Sequence, residues 1–523
     1  MAEKLLDAPL LTPAPGALLD ALLGDGDAPG APPAPPRVYA ARWWVLLQYA
    51  LFTALQGWAW AIPGSVSDTY LDLYAPAVDS WTIQVFLNYG AVLFCLVAFP
   101  VGYAMDKPGG IKQQVLLASA LVTAGAVLRC CATDAGVGSV VCLHASFILT
   151  ALAGPAAMSA VAKLSEEWFP PNERTTATSV ATLCNGVGTA FSSLVGPAMV
   201  AGGDAGSFAP LQRYNYVMLA LIAANLLMMA AYFPAAPPTP PSASAAVSRA
   251  AGAALTPAKL WGVLRAVARN RNVVVLALVY GVGGGAQAGW GGLLNMNLNT
   301  VGVSQYSAGM IGFVSALVGN MAGVVVGAYA DRARAFKRLC VGGSVVGALA
   351  TAWIVAALQG ALPAAWSTPG ALTPGFFLAF TLTYGTFATS PLLFELAVES
   401  THPLPEGSVI TCMTFVYNAA AAAMLTVPLS AGAAFNYAYL AVQVAMLMLL
   451  VVGFRETFDR YSVDVEGGGG PQAAEAGGGG GGDAGELEGG NKPFTKGTAA
   501  AAGGSDDDHP IRSLPHARAN TRL

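Results

Sequence analysis

Two charged segments of one form interrupt an otherwise apolar chain: Gly102-Tyr-Ala-Met-Asp106-Lys107-Pro-Gly109 and Gly327-Ala-Tyr-Ala-Asp331-Arg332-Ala-Arg334. Each sits between hydrophobic stretches long enough to cross a bilayer. A glycine, three residues and then an aspartate beside Lys or Arg lets two helices approach where the chain turns and leaves an ion-pairing cluster at the membrane surface. The spacing predicts Asp106 near the start of the eleventh span, around Glu406 to Thr411, and Asp331 near the start of the fifth, since a helix N-terminus carries about half a positive charge. Glu395 and Glu399 share one helix face near the end of the tenth span, and a carboxylate inside a bilayer costs about 2.5 to 3.5 kcal/mol, so each needs compensation. One account pairs them with Arg332, Arg334 or Arg338 as an inner gate, with Glu166 and Glu167 pairing Lys107 and Lys112 in the other half. The other makes Glu395 a proton carrier; the gate is taken first. His144 reads as a satisfied core residue rather than a proton relay or haem ligand.

No phosphate loop and no paired nucleophile and base stand out, so covalent chemistry, and hence an enzyme, is not expected, nor is any cofactor. The seven cysteines lie in or near apolar spans without a C-x-x-C, which gives a metal site or disulfide framework no support. Asp7-Ala-Pro-Leu10-Leu11 resembles a short acidic dileucine sorting signal or is simply part of a polar arm.

What must position these groups is a membrane domain. Only 10% of the 523 residues are charged and 55% are hydrophobic, against roughly 25% charge in soluble chains, and the mean hydropathy is +0.56. Nucleic acid is an unsuitable partner for such a chain. The pattern predicts an all-α polytopic protein with about twelve transmembrane helices. The longest connection, opening with the proline-rich run Pro234 to Pro241, divides the spans into two six-helix bundles. The division reads as a disordered tail over 1–36, a first bundle over 37–235, a cytoplasmic linker over 236–271, a second bundle over 272–466 and a disordered glycine-rich tail over 467–523. The duplicated motif, one copy per half, is the mark of a repeated transporter. Lys and Arg concentrate beside cytoplasmic span ends; with both termini cytoplasmic, only Arg129 and Arg213 of the 25 basic residues fall on the far side. No cleavable signal peptide and no Asn-x-Ser/Thr sequon are present, so the compartment stays open between a lysosomal or vacuolar and a plasma membrane.

In the seventh span, Gly281-Val-Gly-Gly-Gly285-Ala-Gln287-Ala-Gly289-Trp290-Gly-Gly292 costs a helix roughly 1 kcal/mol per glycine. It reads as a broken, cavity-lining segment, with Gln287, Trp290 and Asn295 as lining residues, or as close packing of small residues.

The chain resembles the major facilitator superfamily through its twelve spans, its two Gly-x-x-x-Asp-[Lys/Arg] copies and Trp168-Phe-Pro-Pro-Asn-Glu-Arg174-Thr-Thr-Ala-Thr178, which opens the fifth span and adds Arg174 to the gate set. Within it the chain is similar to the feline leukaemia virus subgroup C receptor family, and there to the disrupted-in-renal-carcinoma branch. The residues carrying this are Arg37-Val-Tyr-Ala-Ala-Arg42-Trp43, Leu152-Ala-Gly-Pro155, Ala288-Gly-Trp290, Ile311-Gly-Phe313, Phe394-Glu395-Leu-Ala-Val-Glu399, Pro405-Glu406-Gly407 and Phe454 to Arg460. The resemblance implies the major facilitator fold and rocker-type alternating access. Relatives handle choline, ethanolamine and haem, and the renal-carcinoma branch carries pyridoxine in lysosomes. A small organic solute, most suitably pyridoxine-like, is then the expected cargo, with protons as candidate coupling ions, lipid as surroundings and a monomer as the working unit. A choline or ethanolamine carrier and a haem exporter are the alternatives, and a solute sensor the other class. The aromatic position of the cation cage in choline-carrying relatives matches Trp60, and two cage glutamines match Gly154 and Asn418; the missing amide at Gly154 favours a different, planar substrate. The substrate site is therefore expected from Gln56, Trp60, Gln287, Trp290, Asn295 and Asn418.

Overall fold

In hydrocarbon, a chain this apolar satisfies its backbone polar groups within helices, and the computed structural model is helical, without strands, among the described residues. It describes residues 37–456, apart from 202–205, short pieces between 242 and 255, 334, 364–365, 367, 388, 401–405 and 428–431. The tails expected over 1–36 and 467–523, together with Arg334 and the side chains of Arg174, Asp331, Arg332 and Glu406, lie outside the described residues.

The first half contains α1 (Ala41–Ser65), a short α2 (Ser67–Leu73), α3 (Ser80–Asp106), α4 (Gly110–Cys131), α5 (Val137–Leu152) with α6 (Gly154–Trp168), α7 (Pro171–Val200) and α8 (Ala209–Ala231). After the linker come α9 (Pro257–Arg269) and α10 (Arg271–Leu278), a widened π-type turn at Val279–Gly283, α11 (Gly284–Gly292) and α12 (Leu294–Asn299). The remainder are α13 (Gln305–Ala333), α14 (Phe336–Leu358), α15 (Pro369–Phe387), α16 (Ser390–Glu399), α17 (Glu406–Leu425) and α18 (Ala433–Gly453). Among the described residues nine helical stretches are long and apolar enough to span a membrane. Helix α13, the α15–α16 pair and α17 occupy the other three span positions.

Local chemistry sets the boundaries. Asp79 caps α3, its Oδ1 accepting from Thr82 N at 2.8 Å, and Asn270 caps α10 by accepting from Asn272 N and Val273 N, each satisfying donors that a helix start leaves orphaned. Gly154-Pro155 breaks the fourth span into α5 and α6, proline being tolerated in a first helical turn. In the seventh span the glycine-rich sequence produces the π-type turn, the kind of irregularity that gathers at functional sites.

Large apolar side chains such as Leu96, Leu117, Leu227, Leu349, Leu378 and Val452 face outward, as a hydrocarbon surround requires. The interior buries Tyr49, Tyr70, Tyr74, Phe86, Phe94 and Trp290. Helix α1 packs along α7 and α11 along α17; between the halves, α3 meets α17 and α7 meets α13.

Candidate functional site

Between the halves lies a cavity of about 250 Å³. From the first half it is lined by Gln56, Trp60, Phe94, Gly154, Asn185 and Thr189, and from the second by Gln287, Asn320, Phe380, Tyr384, Tyr417 and Asn418, with Asn295 at one end. Among the described residues, none of its lining side chains is charged. The structure thus gathers Gln56, Trp60, Gln287, Asn295 and Asn418 around one space.

Trp290 is the correction. Its side chain is fully buried in the second half, donates from Nε1 to Asn436 Oδ1 at 2.9 Å and stacks on Tyr439 with ring centroids 5.4 Å apart. Gln287 and Trp290 lie three residues apart, yet the edge of α11 that carries Trp290 packs against α18.

Trp60 is held from two sides. Its Nε1 donates to the Leu87 carbonyl at 3.2 Å, and its ring lies on Gly90, where an added Cβ would sit 2.7 Å from Trp60 Cδ1; only a residue without a side chain leaves the ring its place. Trp58, two residues earlier, is bonded to Tyr214 Oη at 2.7 Å and belongs to the core. The carboxamides are anchored by backbone carbonyls: Asn185 Nδ2 donates to Thr53 O at 2.9 Å, Gln287 Nε2 to Thr383 O at 3.1 Å, Asn320 Nδ2 to Ala316 O at 2.7 Å and Asn418 Nδ2 to Thr414 O at 2.9 Å. For Asn320 and Asn418 that bond uses one amide hydrogen, so each retains a second N–H and a carbonyl oxygen for hydrogen bonding. His144 takes no part: its Nδ1 pairs with Tyr89 Oη at 2.9 Å.

Toward the end away from the linker the halves close on each other. Asn295 Nδ2 donates to Ser67 Oγ and to Asp68 Oδ1, both at 2.9 Å, Gln305 Oε1 accepts from Asp68 N at 3.1 Å, and Gln84 Nε2 donates to Val427 O at 2.8 Å. Gly64 packs on the Gly292 carbonyl so tightly that no side chain fits between α1 and α11. Asn295 therefore lines the cavity from a seam that its own amide ties shut. Burial holds the Asp68 carboxyl above its ordinary range, opposed by the amides of Asn295 and Asn299 and reinforced by the charge of Asp72. Deeper in, α3 meets α17 through Phe99 and Phe415, with ring centroids 5.5 Å apart.

The linker end is edged with ion pairs. Lys163 Nζ lies 3.7 Å from Asp106 Oδ1 and 3.4 Å from Glu166 Oε2, Arg249 of the linker holds Glu167 at 2.7 Å, and Arg42 holds Glu173 at 2.9 Å. Glu166 and Glu167 were expected on Lys107 and Lys112; Lys163 lies within ion-pair reach of Glu166 and Arg249 of Glu167, because α6 runs beside the end of α3 and the linker folds back onto it. Lys107 sets its ammonium 4.9 Å from the Tyr103 ring centre. An added Cβ at Gly102 meets nothing within 4 Å among the described residues. Glu399 is buried and Glu395 half-buried on α16; Arg332 and Arg334, their expected partners, fall outside the described side chains, as does the start of α17 expected beside Asp106. Asn185, Thr189, Asn320, Tyr384 and Tyr417 are cavity residues that the sequence did not single out. A signal existed for Asn185, Thr189 and Ser193, which repeat at i, i+4 and i+8 along α7, the spacing of one helix face.

Two helical halves enclosing an uncharged central cavity, tied shut at one end and edged with ion pairs at the other, define a multi-pass solute transporter. Residues 49–425 match the profile described as Major Facilitator Superfamily. The chain is 30% identical over 462 residues to the solute carrier family 49 member 4 homolog of Xenopus tropicalis, covering 84% of this chain and 96% of the relative. It is 27% identical over 384 residues to the choline/ethanolamine transporter FLVCR2 of Homo sapiens, covering 71% and 68%. In fold it is similar to the D-xylose-proton symporter, with a TM-score of 0.57, 15% identity and coverage of 79% of this chain and 98% of the symporter. The chain belongs to the major facilitator superfamily and, within it, to solute carrier family 49.

Proposed function

We propose that the protein moves a small, uncharged, hydroxylated ring compound of the pyridoxine class across its membrane by alternating access, binding it among Gln56, Trp60, Gln287 and Asn418, with Asn185, Asn320, Tyr384 and Tyr417 completing the site. The single observation that carries this is the lining: carboxamides and aromatic rings from both halves, without a charged group among the described residues. Such a surface offers stacking faces and directed hydrogen bonds to a neutral planar solute. At Gly154, whose added Cβ would lie 3.8 Å from Gln56 Nε2, the missing side chain leaves space beside that amide. The volume of about 250 Å³ lies just below the usual range of ligand pockets, about 300 to 1,000 Å³, and suits a small solute better than a tetrapyrrole such as haem.

The second reading is a choline or ethanolamine carrier, favoured by the relatives so named and by the ring of Trp60, since an ammonium over an aromatic face gains roughly 0.5 to 2 kcal/mol. The bundles are assigned to 37–235 and 272–466, joined by the linker 236–271, with both termini and the linker cytoplasmic and the working unit a monomer. Asp106, Lys107, Glu166, Arg174, Asp331, Arg332, Arg334, Glu395 and Glu399 form the linker-end gate, and an acidic lysosomal or vacuolar lumen lies across the membrane.

The test is uptake of labelled pyridoxine, choline and haem by the purified full chain in proteoliposomes, with and without a pH gradient. Saturable pyridoxine flux that choline does not inhibit is the expected result. Choline flux without pyridoxine flux overturns it in favour of the second reading, and saturable binding without flux of any of the three identifies a sensor.

A further inference from the structure

Arg129, near the end of α4, is fully buried inside the first half. It takes part in none of the four ion pairs among the described residues, and an ionisable group kept inside a membrane protein calls for a reason. Its guanidinium lies over the Phe147 ring, with Cζ 5.7 Å from the centre, and Nη1 donates to the carbonyl of Ala59 at 3.2 Å. Nε and Nη2 have no hydrogen-bond partner among the described residues.

The acceptor explains the donor. Ala59 is buried in α1 four residues before Pro63. In a regular helix its carbonyl would accept the N–H of residue 63; proline has none, and its ring crowds that same carbonyl. A buried backbone carbonyl left unpaired is costly, and the Arg129 guanidinium supplies the missing bond. The position is consequential on both sides: Trp60, the cavity ring, follows Ala59 directly, and Gly64, which closes on the Gly292 carbonyl, follows Pro63.

We propose that Arg129 is a positioning residue for the substrate site: by donating to the carbonyl that Pro63 orphans, it fixes the course of α1 around Pro63, which presents Trp60 to the cavity and lays Gly64 against α11. The inference rests on the cavity being the transport site, and its test separates the two claims. Pro63→Ala restores an N–H for the Ala59 carbonyl, so it relieves the dependence on Arg129, whereas a role of Arg129 in packing or stacking on Phe147 is indifferent to residue 63. Wild type, Arg129→Met, Pro63→Ala and the double variant are compared in two ways, by the thermal unfolding midpoint of the purified full chain without solute, and by uptake of labelled pyridoxine, or of labelled choline if that is what the wild type moves. Arg129→Met is expected to lower the midpoint by several degrees and raise KM about tenfold with Vmax changed far less. In the Pro63→Ala background the same substitution should lower the midpoint by less than half as much and change KM less than threefold. Arg129→Lys, which keeps a donor, should stay within threefold of wild-type KM. Equal losses with and without Pro63, or no loss in either background, overturn the proposal. If Arg129→Met does not fold, Arg129→Gln runs the same cycle. If the wild type moves neither solute, the substrate reading fails while the midpoint cycle still decides the role of Arg129.

Discussion

Replacing Asn295 by alanine removes two hydrogen bonds that cross between the halves, to Ser67 Oγ and Asp68 Oδ1, each 2.9 Å long. A neutral bond of this kind is worth about 1 kcal/mol net and one to a charged acceptor about 1.5 to 3; with Asp68 only partly withdrawn from solvent, the lower figure applies and the pair contributes about 2 to 3 kcal/mol. The third contact, to Gln305 Oε1 at 3.5 Å, is too long to add much. The seam keeps Gln84 on Val427 O and Gly64 on Gly292, so it weakens without being abolished. Each 1.4 kcal/mol is tenfold in population, and the fraction of molecules open at this end should rise roughly 30- to 150-fold. The assay needs no substrate. A cysteine at Ala61, which lines the cavity, is introduced after the seven native cysteines are replaced, and an impermeant maleimide is added from the face opposite the linker. With labelling slow against opening, its rate follows the open fraction. A rate within twofold of the Asn295 parent would refute the assignment of this seam as the gate.

Gly90→Val should push the Trp60 ring off its seat and break its bond to Leu87 O, raising KM about tenfold if the ring contact with solute is desolvated; unchanged uptake kinetics would remove Trp60 from the site. Glu395→Gln keeps shape and removes charge: a proton carrier loses its response to a pH gradient while still exchanging solute, a gate loses rate with that response intact, and wild-type behaviour in both respects dismisses both accounts. Burial raises the Asp68 carboxyl, so its protonated form suits the closed seam while the carboxylate suits a hydrated, open one. Acidifying the far face through the mildly acidic range should slow labelling at Ala61→Cys, and Asp68→Asn should flatten that dependence; a pH profile identical in Asp68→Asn assigns the effect to another group.

The architecture was legible because hydrophobic length and charge placement are direct demands of a bilayer. The glycine-rich seventh span announced its own irregularity, and the structure places the π-type turn at Val279–Gly283, just where the run of glycines begins. The pairings were not legible, because they depend on which helices become neighbours. Lys163 is one cation in an apolar helix until α6 is seen beside the end of α3, and Arg249 is one of several linker cations until the linker folds back onto Glu167. Trp290 failed for the same reason: its destination is a slot formed by Asn436 and Tyr439, two residues of the last span. Tyr384 and Tyr417 carry no local signal in the sequence, and the juxtaposition of the tenth and eleventh spans gives them a cavity to line.

The two ends of the cavity are built from different forces. The far seam uses amides, hydroxyls and one partly buried carboxylate, along with backbone contact at Gly64. The linker end uses ion pairs, Arg42 with Glu173, Lys163 with Asp106 and Glu166, and Arg249 with Glu167. These pairs are partly buried, their side chains 12 to 38% accessible, so salt screens them in part and each tolerates a change of partner more readily than a close-packed seam does. Short neutral hydrogen bonds in a close-packed seam depend on geometry instead and are insensitive to ionic strength. A closure made this way depends on fit rather than on screening, and Asp68, whose carboxyl is raised by burial, is a titratable member of its hydrogen bonds.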